Sequence, residues 1–139
     1  MSKEEELQKY MMVLEQYKEQ INQLDMQSQY LQAAVMDYNK AKITLENLSK
    51  TDDDSETLIP IGGGAFVYAS LKNTSKVLID IGSDLVAEKN FEGAIKKIEK
   101  RIEELQKNQD RVNNLIEQYQ AEAADISEKA QEIYNERQK

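Results

Sequence analysis

Residues 57–71 read Thr57-Leu58-Ile59-Pro60-Ile61-Gly62-Gly63-Gly64-Ala65-Phe66-Val67-Tyr68-Ala69-Ser70-Leu71. Two short runs rich in β-branched and aromatic residues flank three glycines, the pattern of two strands and a turn. The pattern continues. Lys72-Asn73-Thr74-Ser75 reads as a turn, Val77 to Ile81 as a third run, Gly82-Ser83-Asp84 as another turn, and Leu85 to Lys89 as a fourth run. This gives either an antiparallel meander of four strands or two hairpins in series. About 33 residues in short strands cannot bury a core of their own. Around Phe66, Val67, Tyr68 and Leu71 both alternating sets of side chains are apolar, so both faces call for cover. Open strand edges also invite pairing with another chain. Residues 57–89 therefore read as an assembly module that closes into a β-barrel between subunits. Its oligomerisation residues are Leu58, Ile59, Ile61, Phe66, Val67, Tyr68, Leu71, Val77, Ile79 and Ile81.

On both sides of this module the period changes to that of a helix. Residues 3–49 carry a seam of Leu7, Tyr10, Leu14, Tyr17, Ile21, Leu24, Ser28, Leu31, Val35, Tyr38, Lys42 and Leu45. Its spacing alternates three and four, as in a coiled coil. Ser2 and Glu5 fit a capping box at its start, and Glu4 to Glu6 suit the positive helix end. Residues 50–56 form a polar, acidic loop. Residues 90–138 form the second helix, with Asn90 as N-cap. Its seam holds Phe91, Ile98, Leu105, Val112, Tyr119, Ile126 and Ile133 at one position and Ile95, Ile102, Gln109, Ile116, Ala123 and Ala130 at the other. Seams of similar length separated by a hairpin-forming insert predict an antiparallel pair. Residues near 45 would meet residues near 95, and residues near 7 would meet residues near 133. Both chain ends would then lie at one tip. The fold class is mainly α with a small β module. Polar Ser28, Lys42 and Gln109 on the seams set register or loosen the coil.

The composition narrows the function. The chain has 139 residues, no Cys, no His and a net charge of -8. An acidic surface argues against nucleic acid or an anionic membrane as partner. Lacking Cys and His, the chain has no thiolate, no commonest general base and no commonest metal ligand, and no nucleophile–base pair is evident, so it reads as no enzyme. Gly62-Gly63-Gly64 is no phosphate loop, because it has no following Lys-Ser/Thr and opens no helix. Asp52-Asp53-Asp54-Ser55-Glu56 lacks calcium-loop spacing and reads as a solvated loop. No metal or cofactor is called for. No apolar run approaches the ~20 residues of a membrane span. The polar, acidic start is unlike a signal peptide, so a cytoplasmic protein is expected. Ile, Leu, Val and Phe sit at periodic positions, which argues for a fold over disorder.

One stretch points to binding. Tyr10-Met11-Met12-Val13-Leu14 is a contiguous apolar run on a helix. A seam through Tyr10 and Leu14 leaves Met11, Met12 and Val13 elsewhere around the helix, with Met12 opposite it. At the other end of the chain Tyr134 lies beside seam residue Ile133. In the antiparallel arrangement these residues share the tip. Exposed apolar surface there marks a binding site, and Met suits a surface that accepts many shapes. The expected tip comprises Leu7, Tyr10, Met11, Met12, Val13, Leu14, Ile126, Ala130, Ile133 and Tyr134.

Coil, two-hairpin insert and coil together resemble the alpha class of prefoldin subunits. The resemblance rests chiefly on Leu58-Ile59-Pro60-Ile61-Gly62-Gly63-Gly64-Ala65-Phe66-Val67, followed by Asp80-Ile81-Gly82, Val86-Ala87-Glu88-Lys89 and Ala94-Ile95. Asn90-Phe91-Glu92-Gly93 is less acidic than the helix start that the family leads one to expect. The insert favours the alpha class over the beta class, which the resemblance gives a single hairpin. What the resemblance implies is an ATP-independent holdase, built as a hexamer of two alpha and four beta subunits. Its coiled-coil tips would capture unfolded or nascent polypeptides and pass them to a group II chaperonin. The alternative is a structural adaptor that docks one specific partner at its tip.

Overall fold

The structure is a computed structural model that describes residues 2–72 and 75–138. Asn73 and Thr74, read above as part of a turn, lie outside the described residues. The element order is α1 (Lys3–Leu48), β1 (Glu56–Gly62), β2 (Ala65–Ser70), β3 (Lys76–Gly82), β4 (Leu85–Asn90) and α2 (Phe91–Arg137). The fold is the expected mainly α class: two long helices joined by two small β-hairpins.

Each helix begins at a side-chain cap. The Ser2 hydroxyl accepts the Glu5 N–H at 3.2 Å, and Glu4, Glu5 and Glu6 fill the first turn of α1. The Asn90 side-chain oxygen accepts the Gly93 N–H at 2.8 Å. A Cβ on Gly93 would stand 2.9 Å from that oxygen, so glycine leaves room for the cap. At the end of α1 the Ser49 and Thr51 hydroxyls donate back to the Glu46 and Asn47 carbonyls. The acidic loop that follows is tied to the strands. Asp54 N–H donates to the Leu71 carbonyl at 2.7 Å, and Leu71 N–H donates to Ser55 at 3.0 Å.

The strands form two separate antiparallel sheets, β1 with β2 and β3 with β4. Of the two arrangements open from the sequence, the pair of hairpins is the one adopted. β2 and β3 do not pair, and each hairpin is closed by a tight turn. Gly63 and Gly64 have φ of 59° and 75°, and Ser83 and Asp84 have φ of 52° and 59°. Positive φ at both central residues gives a two-residue turn whose twist matches the strands it joins. A bulge lies between Pro60 and Gly62 in β1 and between Asp80 and Gly82 in β3. The two hairpins repeat one sequence pattern: Leu58-Ile59-Pro60-Ile61-Gly62 recurs as Leu78-Ile79-Asp80-Ile81-Gly82.

The chain divides into two compact units. The terminal unit holds the residues up to Ala34 and those from Leu105 onward; the hairpin unit holds Val35–Glu104. In the terminal unit Glu4 meets Arg137, Tyr17 meets Glu122, and Ser28 meets Gln109 and Asn113. Partner numbers fall along α2 as they rise along α1, so the two stretches run antiparallel. Leu31, Leu105, Val112 and Ala130 are its buried residues. In the hairpin unit Lys42 pairs with Glu99 at 3.5 Å, and Ala94, Ile98 and Ile102 are buried. Every seam residue of α1 from Leu7 to Leu45 is buried or half-buried, as a heptad seam requires.

The polar seam residues find partners. Gln109 donates to the Ser28 hydroxyl at 2.8 Å, and Ser28 donates to the Asn113 side-chain oxygen at 3.3 Å. These two bonds form in one alignment of the helices and are broken by a slip of a turn, which favours a single register, while the Gln109 side-chain oxygen is buried without a partner.

Candidate functional site

At the end of the terminal unit the two chain ends lie together. Lys3 pairs with Glu136 at 3.1 Å and Arg137 with Glu4 at 3.2 Å. Both pairs are exposed, so they orient the helix ends more than they stabilise them. Beside them lies an open depression of about 710 Å³ lined by Leu7, Gln8, Met11, Met12, Leu14, Ser127, Ala130, Gln131 and Tyr134. Helical spacing explains the α2 side of this set. Ser127, Ala130, Gln131 and Tyr134 follow i, i+3, i+4, i+7 and share one face. On α1, Leu7, Met11 and Leu14 keep the same spacing.

The ten expected tip residues divide. Leu7, Met11, Met12, Leu14, Ala130 and Tyr134 line the depression. Tyr10, Val13, Ile126 and Ile133 are half-buried and do not line it. Met11 is 60% exposed, Met12 67% and Tyr134 47%, whereas Ala130 is buried and forms part of the floor. Gln8, Ser127 and Gln131 join the lining without having been singled out in the sequence. Further exposed apolar residues lie off the seam: Met26 and Tyr30 in the terminal unit, Met36 and Ile43 in the hairpin unit. The helical period alone places Met26 and Tyr30 four apart on one face.

Below the depression the Tyr17 hydroxyl donates to Glu122 Oε2 at 2.7 Å, and the Gln118 amide donates to Glu122 Oε1 at 3.1 Å. The Tyr17 ring also packs against Tyr119, with centroids 5.8 Å apart. The tyrosine hydrogen bond, then the glutamine bond, holds the Glu122 carboxyl below its ordinary value. The same tyrosine bond, first, raises the Tyr17 phenol above its own. A lowered carboxylate contributes stability above its unfolded value, and that contribution is lost as pH falls through the folded value. A raised phenol contributes below its unfolded value and loses the contribution as pH rises through the folded one. Tyr17→Phe keeps the ring contact and removes the bond. Glu122 is then expected to titrate at higher pH, which carbon NMR of its carboxyl reads directly. An unchanged titration would show that the bond does not form in solution.

The second candidate surface is the hairpin pair. Leu58 lies opposite Tyr68 and Pro60 opposite Phe66, while Ile59 lies opposite Val67. Opposed residues share a face, so both faces of the first hairpin are apolar. Leu58, Ile59, Ile61, Phe66, Val67 and Tyr68 are all exposed in the single chain, Tyr68 at 77%. In the second hairpin Val77, Ile79 and Ile81 line an open cavity of about 1030 Å³, together with Tyr38 and Leu45 of α1 and Ile98 of α2. Leu71, Val77 and Ile79 are half-buried, and Ile81 is exposed. Leu78, Leu85 and Val86 are also exposed and had not been singled out. Among the described residues no group of three or more acidic side chains is arranged to hold a metal ion, and no helix is long and apolar enough to cross a membrane.

A family model described as prefoldin subunit matches residues 17–136. The chain belongs to the prefoldin family. Among its relatives is the prefoldin subunit alpha of Archaeoglobus fulgidus, 32% identical over 128 residues, which cover 92% of this chain and 93% of that protein. The prefoldin subunit alpha of Methanococcus maripaludis is 33% identical over 112 residues, covering 81% and 76%. A chain of the filamentous prefoldin from Methanocaldococcus jannaschii superposes with a TM-score of 0.72 at 26% identity, over 81% of this chain and 93% of that one. The prefoldin beta subunit from Thermococcus strain KS-1 shares the fold, with a TM-score of 0.60 at 16% identity over 91% and 90% of the two chains. The prefoldin reading from the sequence and its alpha assignment agree with these relatives. The chain is thus a chaperone-type prefoldin subunit.

Proposed function

We propose that this chain is the alpha subunit of an ATP-independent holdase that binds non-native polypeptide at its coil ends. The observation that carries the reading is the depression between Leu7, Met11, Met12 and Tyr134, an apolar surface left open where the two chain ends meet. An exposed apolar surface of this kind is a liability for a soluble chain unless it is used. Flexible methionines adapt to clients of unrelated shape, which one fixed partner does not demand. In the proposed assembly the hairpins close into a barrel with prefoldin beta subunits, in the ratio of two alpha to four beta. Several weak ends then act on one client, so that binding strength comes from effective concentration. Transfer of the client to a group II chaperonin in the cytoplasm completes the proposal. The domain limits of the sequence reading follow the same division: coil 3–49, loop 50–56, assembly module 57–89 and coil 90–138.

The test is suppression of aggregation of several unrelated unfolded proteins by the assembled complex. Changing Met11, Met12 and Tyr134 together to Ser is expected to weaken suppression by about tenfold, each lost apolar contact acting at every end engaged. The native mass of the complex should not change. Full activity in this variant would overturn the assignment of the site. Loss of one tight, stoichiometric ligand, with no effect on unrelated clients, would instead establish the adaptor.

A further inference from the structure

The charge of this chain is unevenly placed. Residues 2–20 and 117–138 together carry five basic and eleven acidic side chains, a net -6 of the chain's -8. Residues 21–48 and 91–116, the rest of the two helices, carry eight of each and are neutral. A coil needs no such asymmetry for its stability or solubility. Ion pairing within the acidic stretches consumes little of it. Lys3 pairs with Glu136, Arg137 with Glu4 and Lys129 with Asp125. Among the described residues Glu5, Glu15, Glu19, Glu128 and Glu132 make no ion pair.

These carboxylates flank the depression. Glu5, Gln8, Met12, Glu15 and Glu19 follow three–four spacing along one side of α1, so Met12 lies between glutamates on the same helix face. On α2, Glu128 adjoins Ser127 and stands three residues from Gln131, both in the lining. The lining itself carries no charged side chain, and the helix surface around it, its rim, is net acidic although it also holds Lys9.

We infer that the depression selects non-native segments in which Lys or Arg stands beside apolar residues. This rests on the holdase reading above and names its substrate class. The physics is complementarity. A lysine or arginine stem lies along apolar surface while its cationic head reaches the rim. Opposite potentials also speed encounter and disfavour acidic segments by like-charge repulsion. Lys9 and Lys18 are the unpaired basic groups of the two acidic stretches among the described residues, and the unpaired carboxylates there outnumber them.

The chain has no Cys, so one introduced thiol reports from one place. Asn135→Cys, next to the lining but outside it, is labelled with an environment-sensitive fluorophore in the full chain. Three synthetic unstructured peptides serve as probes. They share the same apolar residues and carry Lys, Glu or Gln at every polar position. At low salt the Lys peptide is expected to bind at least ~5-fold more tightly than the Glu peptide. The difference should shrink to under ~2-fold at 1 M salt, where the screening length falls to about 3 Å. Combining Glu5→Gln, Glu15→Gln and Glu128→Gln should remove the preference and leave the Gln peptide's affinity unchanged. Equal affinity of all three peptides at low salt, tighter binding of the Glu peptide, or a preference that survives the three substitutions would overturn the inference and leave the holdase reading standing. Failure of every peptide to bind, the neutral one included, would also overturn the inference, and the holdase reading is then decided separately by the aggregation assay on the assembled complex.

Discussion

Ile59→Lys combined with Val67→Glu should abolish assembly of the complex while leaving the chain folded. The two residues lie directly opposite each other in the first hairpin. The new charges therefore face each other as a cross-strand ion pair, which supports the hairpin's own pairing. The coil is untouched, so helix content by circular dichroism should not change. What is lost is one apolar face. Burying an aliphatic side chain of this size is worth about 1.5–3 kcal/mol, so the pair removes about 3–6 kcal/mol per subunit contact. That is a fall in association constant of about 10²–10⁴, before any penalty for burying the new charges. Light scattering should show the native mass falling from that of a multi-subunit complex to that of the single chain, 16.0 kDa. An unchanged mass would mean that this face stays in water in the assembly. The apolar residues of the first hairpin would then need another explanation.

The coil was legible because heptad spacing is a local signal that survives without knowing the partner. Leu7 to Leu45 all end up at least half-buried, including the polar members Ser28 and Lys42. What those polar members bind was not legible. Ser28 meets Gln109 and Asn113, and Lys42 meets Glu99, only once the register of the second helix is set. The hairpins were half-legible. Composition pointed to strands and turns, but a meander remained open. The repeat of Leu-Ile-X-Ile-Gly at Leu58 and Leu78 marks two copies of one hairpin, but whether β2 and β3 also pair is a separate question that the repeat does not answer. Ser83 and Asp84 concealed the likeness, because they adopt the positive φ that glycine supplies at Gly63 and Gly64. The coil end was partly legible for a different reason. Contiguity of Met11 and Met12 marks surface that a two-helix seam cannot cover. Which neighbours join them depends on the rotation of the facing helix. That is why polar Gln8, Ser127 and Gln131 escaped notice and why Tyr10 and Ile133, although near in sequence, stay out of the depression.

Truncating the seam should show how much of the coil rests on its few buried residues. Leu105→Ala removes a side chain that is 5% exposed, whereas Tyr30→Ala removes a larger one that is 74% exposed. Leucine-to-alanine changes in enclosed cores cost about 2–5 kcal/mol, the upper values coming from cavities that stay empty. A two-helix coil has no second layer to hold such a cavity closed. Apart from Ala94, its buried residues keep 5–8% of their surface in contact with solvent. Water and neighbouring side chains can therefore fill the gap, and the effect belongs near the lower end, about 2–3 kcal/mol. Tyr30→Ala should change stability by about 0.5 kcal/mol or less, as is usual away from a core. Urea unfolding followed by helical circular dichroism measures both. Hydrogen exchange would locate the Leu105 effect in the terminal unit, where Leu31 and Val112 are also buried. If the two variants lost equal stability, the seam would not be what holds the helices together. The outer face of α1 would then be covered in the assembly, and Met26 and Tyr30 would belong to a subunit contact instead of to solvent.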